Sequence, residues 1–245
     1  MERTITMFEG YVGIRLWDGQ IVEDVLFSIL VGLLLLFAFS ARLHAKSFLK
    51  MFRCISFLGR EGFTTEMSVY YNKYFSSFMT FQALLLASLW VFLEAYHRGY
   101  TNGLTYGKIG LLIFATFLFI GACYIVRRLV YHLLIYTFAD AAYESQWRLN
   151  YHSIVGVWGI LLYIPVVWQG FVGSFYYLST GLFLFLYILS HFAIIYKSVR
   201  LFHTKKFDLF YLSLYLCAHE ILPLFIMYKG FIYLYNFIEK SALWH

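Results

Sequence analysis

The chain has 245 residues, of which 62% are hydrophobic, 22% aromatic and only 13% charged. A soluble domain carries about 25% charged residues, so one aqueous core cannot hide this much apolar surface; the composition specifies an all-α, polytopic membrane helix bundle. The formal charge of +6 sits mostly in loops on one side and does not point to nucleic acid.

Residues 1–24 read as an extracytoplasmic tail rather than a signal peptide, because Glu23 and Asp24 stand before the first apolar run where a basic segment would be needed. A crossing needs about 20 apolar residues at about 1.5 Å each. Span 1 is placed at 25–41. The stretch "ARLHAKSFLKMFRCISFL", 41–58, follows it. At 100° per residue Arg42, Lys46, Lys50 and Arg53 share one arc of about 80°, opposite Ala45, Phe48, Met51, Phe52, Ile55 and Leu58. This predicts a basic amphipathic helix on the bilayer surface, binding anionic lipid head groups at the cytoplasmic face or serving only to set topology.

Span 2 is placed at 74–93, between Lys73 and Glu94, and span 3 at 109–126, between Lys108 and Arg127. Residues 129–139 are too short to cross and read as a helical extension of span 3. Residues 149–196 hold no Asp, Glu, Lys or Arg. They are long enough for two spans, 152–170 and 175–196, with the turn at "QGFVGS" because glycine pairs punctuate helices. Span 6 is placed at 210–228. The whole of 1–245 is read as one integral-membrane domain.

Lysine and arginine counts orient the bundle. Arg42, Lys46, Lys50, Arg53, Arg60, Lys73, Arg127, Arg128, Arg148, Lys197, Arg200, Lys205 and Lys206 all fall on one side, and the 19 basic residues of the chain leave a minority for the other. Six spans then put both termini outside. Trp90, Trp168 and Trp244 fall near the outer interface and Trp147 near the inner one. Cys54, Cys123 and Cys217 have no Cys-x-x-Cys spacing, so a cysteine-built metal or redox site is not expected.

The last span holds the main chemical oddity, "CAHEILPL". Glu220 lies about 18 Å along the helix from Asp208, near the middle of a core about 30 Å thick. A charge there costs at least about 2.5–3.5 kcal/mol. Pro223 has no N–H, so the carbonyl of His219 loses its helical partner beside the acid. Cys217 shares a weakly polar stripe with Glu220. Span 5 has its own stripe of Thr180, Tyr187, His191 and Ser198. His191 and His219 sit at heights differing by about 7 Å, which disfavours a bis-histidine haem; no cofactor and no metal are expected. His97, His132 and His152 lie near span ends, where interfacial packing is the simpler role.

At the Cys217, Glu220 and Pro223 pattern the chain resembles a family of bacterial inner-membrane proteins classed as domain of unknown function 4271, which has a similar Cys-x-x-Glu-x-x-Pro in its final span. The resemblance implies a bacterial multi-pass protein and supplies no activity. Two function classes stay open. One is a non-enzymatic module that binds or scaffolds a membrane-protein partner in the envelope. The other is a small transporter or proton-handling protein using Glu220, His219 and His191. No nucleophile–base pair is visible, so an enzyme ranks below both.

Overall fold

In a computed structural model, residues 20–56, 73–99, 106–138, 141–172 and 175–202 are described, together with 229, 230, 233 and 236. Helices account for nearly all of them, and no strand occurs among them. The helices are α1 (Gln20–Leu43), α2 (Ala45–Ser56), α3 (Lys73–His97), α4 (Tyr106–Phe138), α5 (Ala141–Leu161), the short α6 (Tyr163–Val167) and α7 (Tyr176–Phe202). A π-helical turn, Trp168–Val172, continues α6. Five segments are long and apolar enough to cross a bilayer: Asp24–Leu43, Tyr74–His97, Lys108–Leu133, Trp147–Val172 and Tyr176–Ser198. Each overlaps one of the first five expected spans.

Two helices run past their expected ends. α4 has 33 residues, about 50 Å, against a core of about 30 Å. The segment 129–138 is thus a rigid continuation of the span. At "QGFVGS" the chain does not turn at the first glycine. The helix widens into the π turn and continues to Val172. Phe175 then takes a φ of 61°, the left-handed conformation that reverses the chain. A break does occur earlier in the span, at Leu162, between α5 and α6. Its cause is Pro165, which has no N–H for the carbonyl of Leu161 and crowds it.

α3 is the centre of the bundle. Its crossing segment is 67% buried, against 17% for those of α1 and α4 and 22% for that of α7. Leu86, Leu89, Phe92 and Leu93 of α3 pack with Leu26, Leu30 and Leu33 of α1, Leu112 and Ile120 of α4, and Leu162 and Val166 beside the break. α3 and α5 approach each other closely. A Cβ on Gly159 would lie 2.7 Å from the Cβ and 3.0 Å from the Cα of Ala83. Small residues let membrane helices approach this closely, where dispersion and hydrogen bonds replace the hydrophobic drive.

The basic segment divides at His44. Arg42 closes α1, and α2 begins at Ala45. Arg42 and Lys46 are exposed; Lys50 and Arg53 are helical. The apolar side of α2 does not lie wholly against lipid. Met51 is buried with Phe75 and Met79, and Phe37, Phe48, Val157 and Ile160 pack around them. Leu49 and Phe52 stay exposed. Met79 lies about 7 Å along α3 from Tyr74, within the depth of about 5–10 Å at which interfacial helices ride. α2 is therefore an interfacial helix leaning on the bundle.

Residues 210–228, the expected sixth span, lie outside the described residues. Gly230, just beyond them, rests on Phe119 of α4, whose ring Cζ would be 2.5 Å from an added Cβ.

Candidate functional site

The candidates Cys217, His219, Glu220 and Pro223 lie outside the described residues, as do Lys50 and Arg53 beyond their backbones. His191 is described, and so is a polar cluster that sequence reasoning passed over.

The cluster closes the end of the bundle where α3 stops and α7 begins. Its centre is Glu94, the first acid after the apolar run of α3. One carboxylate oxygen, Oε1, accepts from Arg98 Nε at 2.8 Å and Nη2 at 2.6 Å. Arg98 sits four residues on, which puts both on one helix face. The other oxygen, Oε2, accepts from Gln169 Nε2 at 2.7 Å and Thr180 Oγ1 at 3.0 Å. Only 13% of the Glu94 side chain is exposed, against 53% for Arg98. One carboxylate therefore links α3, the π turn and α7.

The π turn makes this reach possible. Gln169 is fully buried, and a polar side chain meets each of its two oxygens. Its backbone carbonyl accepts from His97 Nε2 at 2.8 Å, and its side-chain oxygen lies 3.2 Å from the hydroxyl of Ser179. Ser179 donates most directly to the carbonyl of Pro165, at 2.8 Å, just where the helix widens. Trp90 Nε1 donates to Ser179 Oγ at 3.4 Å, and the Trp90 ring stacks on Phe183 at 3.7 Å between centroids. A wider turn shifts backbone pairing from the fourth to the fifth residue, so side chains must serve carbonyls that α-helical pairing would satisfy.

At the other end, the stripe expected on span 5 faces the bundle at every position. Thr180 meets Glu94, as above. Tyr187 packs against Trp158 and Phe183. Ser198 accepts from Trp147 Nε1 at 3.2 Å. His191 Nε2 lies 3.1 Å from Arg127 Nη1, and its Nδ1 lies 3.1 Å from the carbonyl of Tyr187. Arginine can only donate, so Nε2 accepts and Nδ1 carries the proton. His191 thus serves as a link between α4 and α7. The guanidinium of Arg127 also stands 5.9 Å from the centre of the Tyr131 ring. Below it, Lys197 Nζ donates to Asn150 Oδ1 at 3.3 Å, beside a cavity of about 10 Å³ lined in part by Trp147 and Ser198. That is room for about one water.

His97 and His152 do more than pack. His97 supports the π turn, and His152 Nδ1 lies 3.3 Å from Thr80 Oγ1. Among the described residues no group of three or more His, Cys, Asp or Glu is placed to hold a metal ion.

Residues 26–231 match the family model described as Domain of unknown function (DUF4271). The chain belongs to that family. No curated protein and no solved structure matches the DUF4271 chain. Glu94, Gln169 and the histidine links all fall inside the matched region of this DUF4271 protein, as does Glu220. The sequence did hold a signal for the Glu94 cluster. Glu94 with Arg98 four residues later, and a lone glutamine at the end of an otherwise apolar span, are the polar exceptions at span ends. The π turn that joins them has no such signature.

Proposed function

We propose that this membrane protein is a non-enzymatic module of the bacterial envelope that binds or scaffolds partner proteins in the inner membrane, with both termini extracytoplasmic. The observation that carries this reading is the bonding of Glu94. Both of its oxygens are occupied by Arg98, Gln169 and Thr180. A carboxylate held by three partners on three elements works as a clamp; a carrier has to exchange its partners for a proton or cation. His191 supports the same reading, because both of its ring nitrogens are engaged, Nε2 by Arg127 Nη1 and Nδ1 by the carbonyl of Tyr187.

The alternative is a small transporter or proton-handling protein built on Glu220 and His219. The two are separated by flux. The purified chain is placed in liposomes with a pH-sensitive dye inside, under an imposed potential and pH gradient. A scaffold acidifies them no faster than protein-free liposomes. Flux that the wild-type chain carries and Glu220→Gln loses would establish the alternative and refute the scaffold.

A further inference from the structure

Lys229, Tyr233 and Asn236 are helical, and all three are exposed. Spacings of four and three residues place them on one helix face.

Gly230 fixes their height. Its contact on Phe119 sets this backbone inside the Lys108–Leu133 crossing, about 17 Å along α4 from Lys108 and about 12 Å from Arg127. The neighbouring Phe117 packs edge-on against Phe81 of α3, 5.6 Å between ring centres. Phe81 is itself about 10 Å along α3 from Tyr74. Lys229, next to Gly230, is thus level with the Phe119 stretch of the α4 crossing and not with its ends. A lysine stem of four methylenes can snorkel from near a span end; here both ends are beyond its reach. Lys229 makes no ion pair or hydrogen bond with a described residue.

The contrast with the rest of the outward surface is chemical. α1, α4 and α7 turn side chains such as Leu35, Phe114 and Phe192 outward, which suit lipid. A lysine, a tyrosine and an asparagine in register do not. Ionisable groups at this depth face protein or water and pair with one another.

We infer that the Lys229–Tyr233–Asn236 face docks a transmembrane helix of another protein that carries an Asp or Glu near mid-bilayer. The lysine selects the carboxylate by charge. Tyr233 and Asn236, one and two turns further along, supply interhelical hydrogen bonds. A second copy of this chain is the poorer occupant, because a two-fold contact centred on this face sets Lys229 against Lys229. The inference rests on the binding-module reading and names the partner's chemistry.

The test uses the full chain, fluorescently labelled at its N-terminus, in phosphatidylcholine liposomes. The probe is an acceptor-labelled, leucine-rich transmembrane peptide of about 20 residues with one central Glu. The control peptide has Leu in its place. Energy transfer should report about tenfold tighter association of the Glu peptide with the wild-type chain. Lys229→Leu should remove that preference, and Lys229→Arg should keep it. The side chain points outward, so thermal unfolding of both variants should match wild type. Equal association of the two peptides overturns the inference, as does a preference that survives Lys229→Leu. Self-association of the chain that Lys229→Leu abolishes would assign the face to a second copy and overturn it too. Proton flux with an intact Glu-peptide preference would sink the scaffold reading alone; no flux and no preference would sink this surface alone.

Discussion

Glu94→Ala removes the carboxylate that links α3, the π turn and α7. Two of its bonds run between elements, to Gln169 and Thr180. Interhelical polar contacts in membranes contribute about 0.6 kcal/mol on average and up to about 1.7, so the pair accounts for about 1–3 kcal/mol. The buried Gln169 amide is then left without an acceptor, which adds about 1–3 kcal/mol. The Arg98 pair is half in solvent and contributes at most about 1 kcal/mol. Together these predict a loss of about 2–7 kcal/mol. For a chain of this size that is a fall of roughly 4–28 °C in thermal midpoint, read by tryptophan fluorescence in detergent. Arg98→Ala should lower the midpoint by no more than about 4 °C. In a double-mutant cycle Glu94→Ala and Gln169→Leu should show a coupling of at least about 1 kcal/mol. A Glu94→Ala midpoint within 2 °C of wild type by about that margin, or an Arg98→Ala loss as large, would refute the clamp.

Gly159→Ala forces a methyl against Ala83 and should cost about 1–3 kcal/mol; Gly121→Ala, where nothing lies within 4 Å, should be neutral or stabilising in the same melt. Gln82 is fully buried on α3 with neither amide atom hydrogen-bonded, so Gln82→Leu should raise the midpoint, and a fall would mean that the amide is satisfied in the membrane. Replacing Arg42, Lys46, Lys50 and Arg53 together with Gln should leave the chain inserted and weaken flotation with anionic liposomes, each charge contributing about 1 kcal/mol; unchanged flotation would make the segment a topology signal only. Cys54 should react with an impermeant thiol reagent only in opened cells, while a cysteine at Gly173 should react in intact spheroplasts, and the reverse pattern would invert the orientation.

The spans were legible because uninterrupted apolar runs between charges leave few choices of register. Lys73 to Glu94 brackets α3 to within a turn, and Lys108 marks the start of α4, whose end lies about three turns beyond Arg127. The extension of α4 was legible from Arg127 and Arg128, which end the crossing without breaking the helix. Backbone detail was less accessible. Glycine at Gly170 reads as a turn, yet a glycine tolerates the π conformation as well as a reversal, and the pairing that chooses between them comes from Ser179 and His97. The Thr180–Ser198 stripe was legible from its spacing, but its partners were not, because hydropathy carries no information on which helix lies opposite. Glu94 looked like a boundary marker for the same reason. Its role depends on residues 75 and 86 positions away.

That separation has a consequence for biosynthesis. The ribosome adds about 5–20 residues per second, so Thr180 follows Glu94 by about 4–17 s at that rate. Throughout that interval α3 must reside at or in the membrane with its carboxylate lacking at least one of the two donors from later elements, and until Gln169 is made it lacks both. Arg98, made within the next turn, is available at once and neutralises the charge locally. The exposed pair that adds little to the finished protein is thus positioned to escort Glu94 into place, and its loss should appear as slower or less complete insertion during synthesis, long before any effect on the melting of the mature bundle.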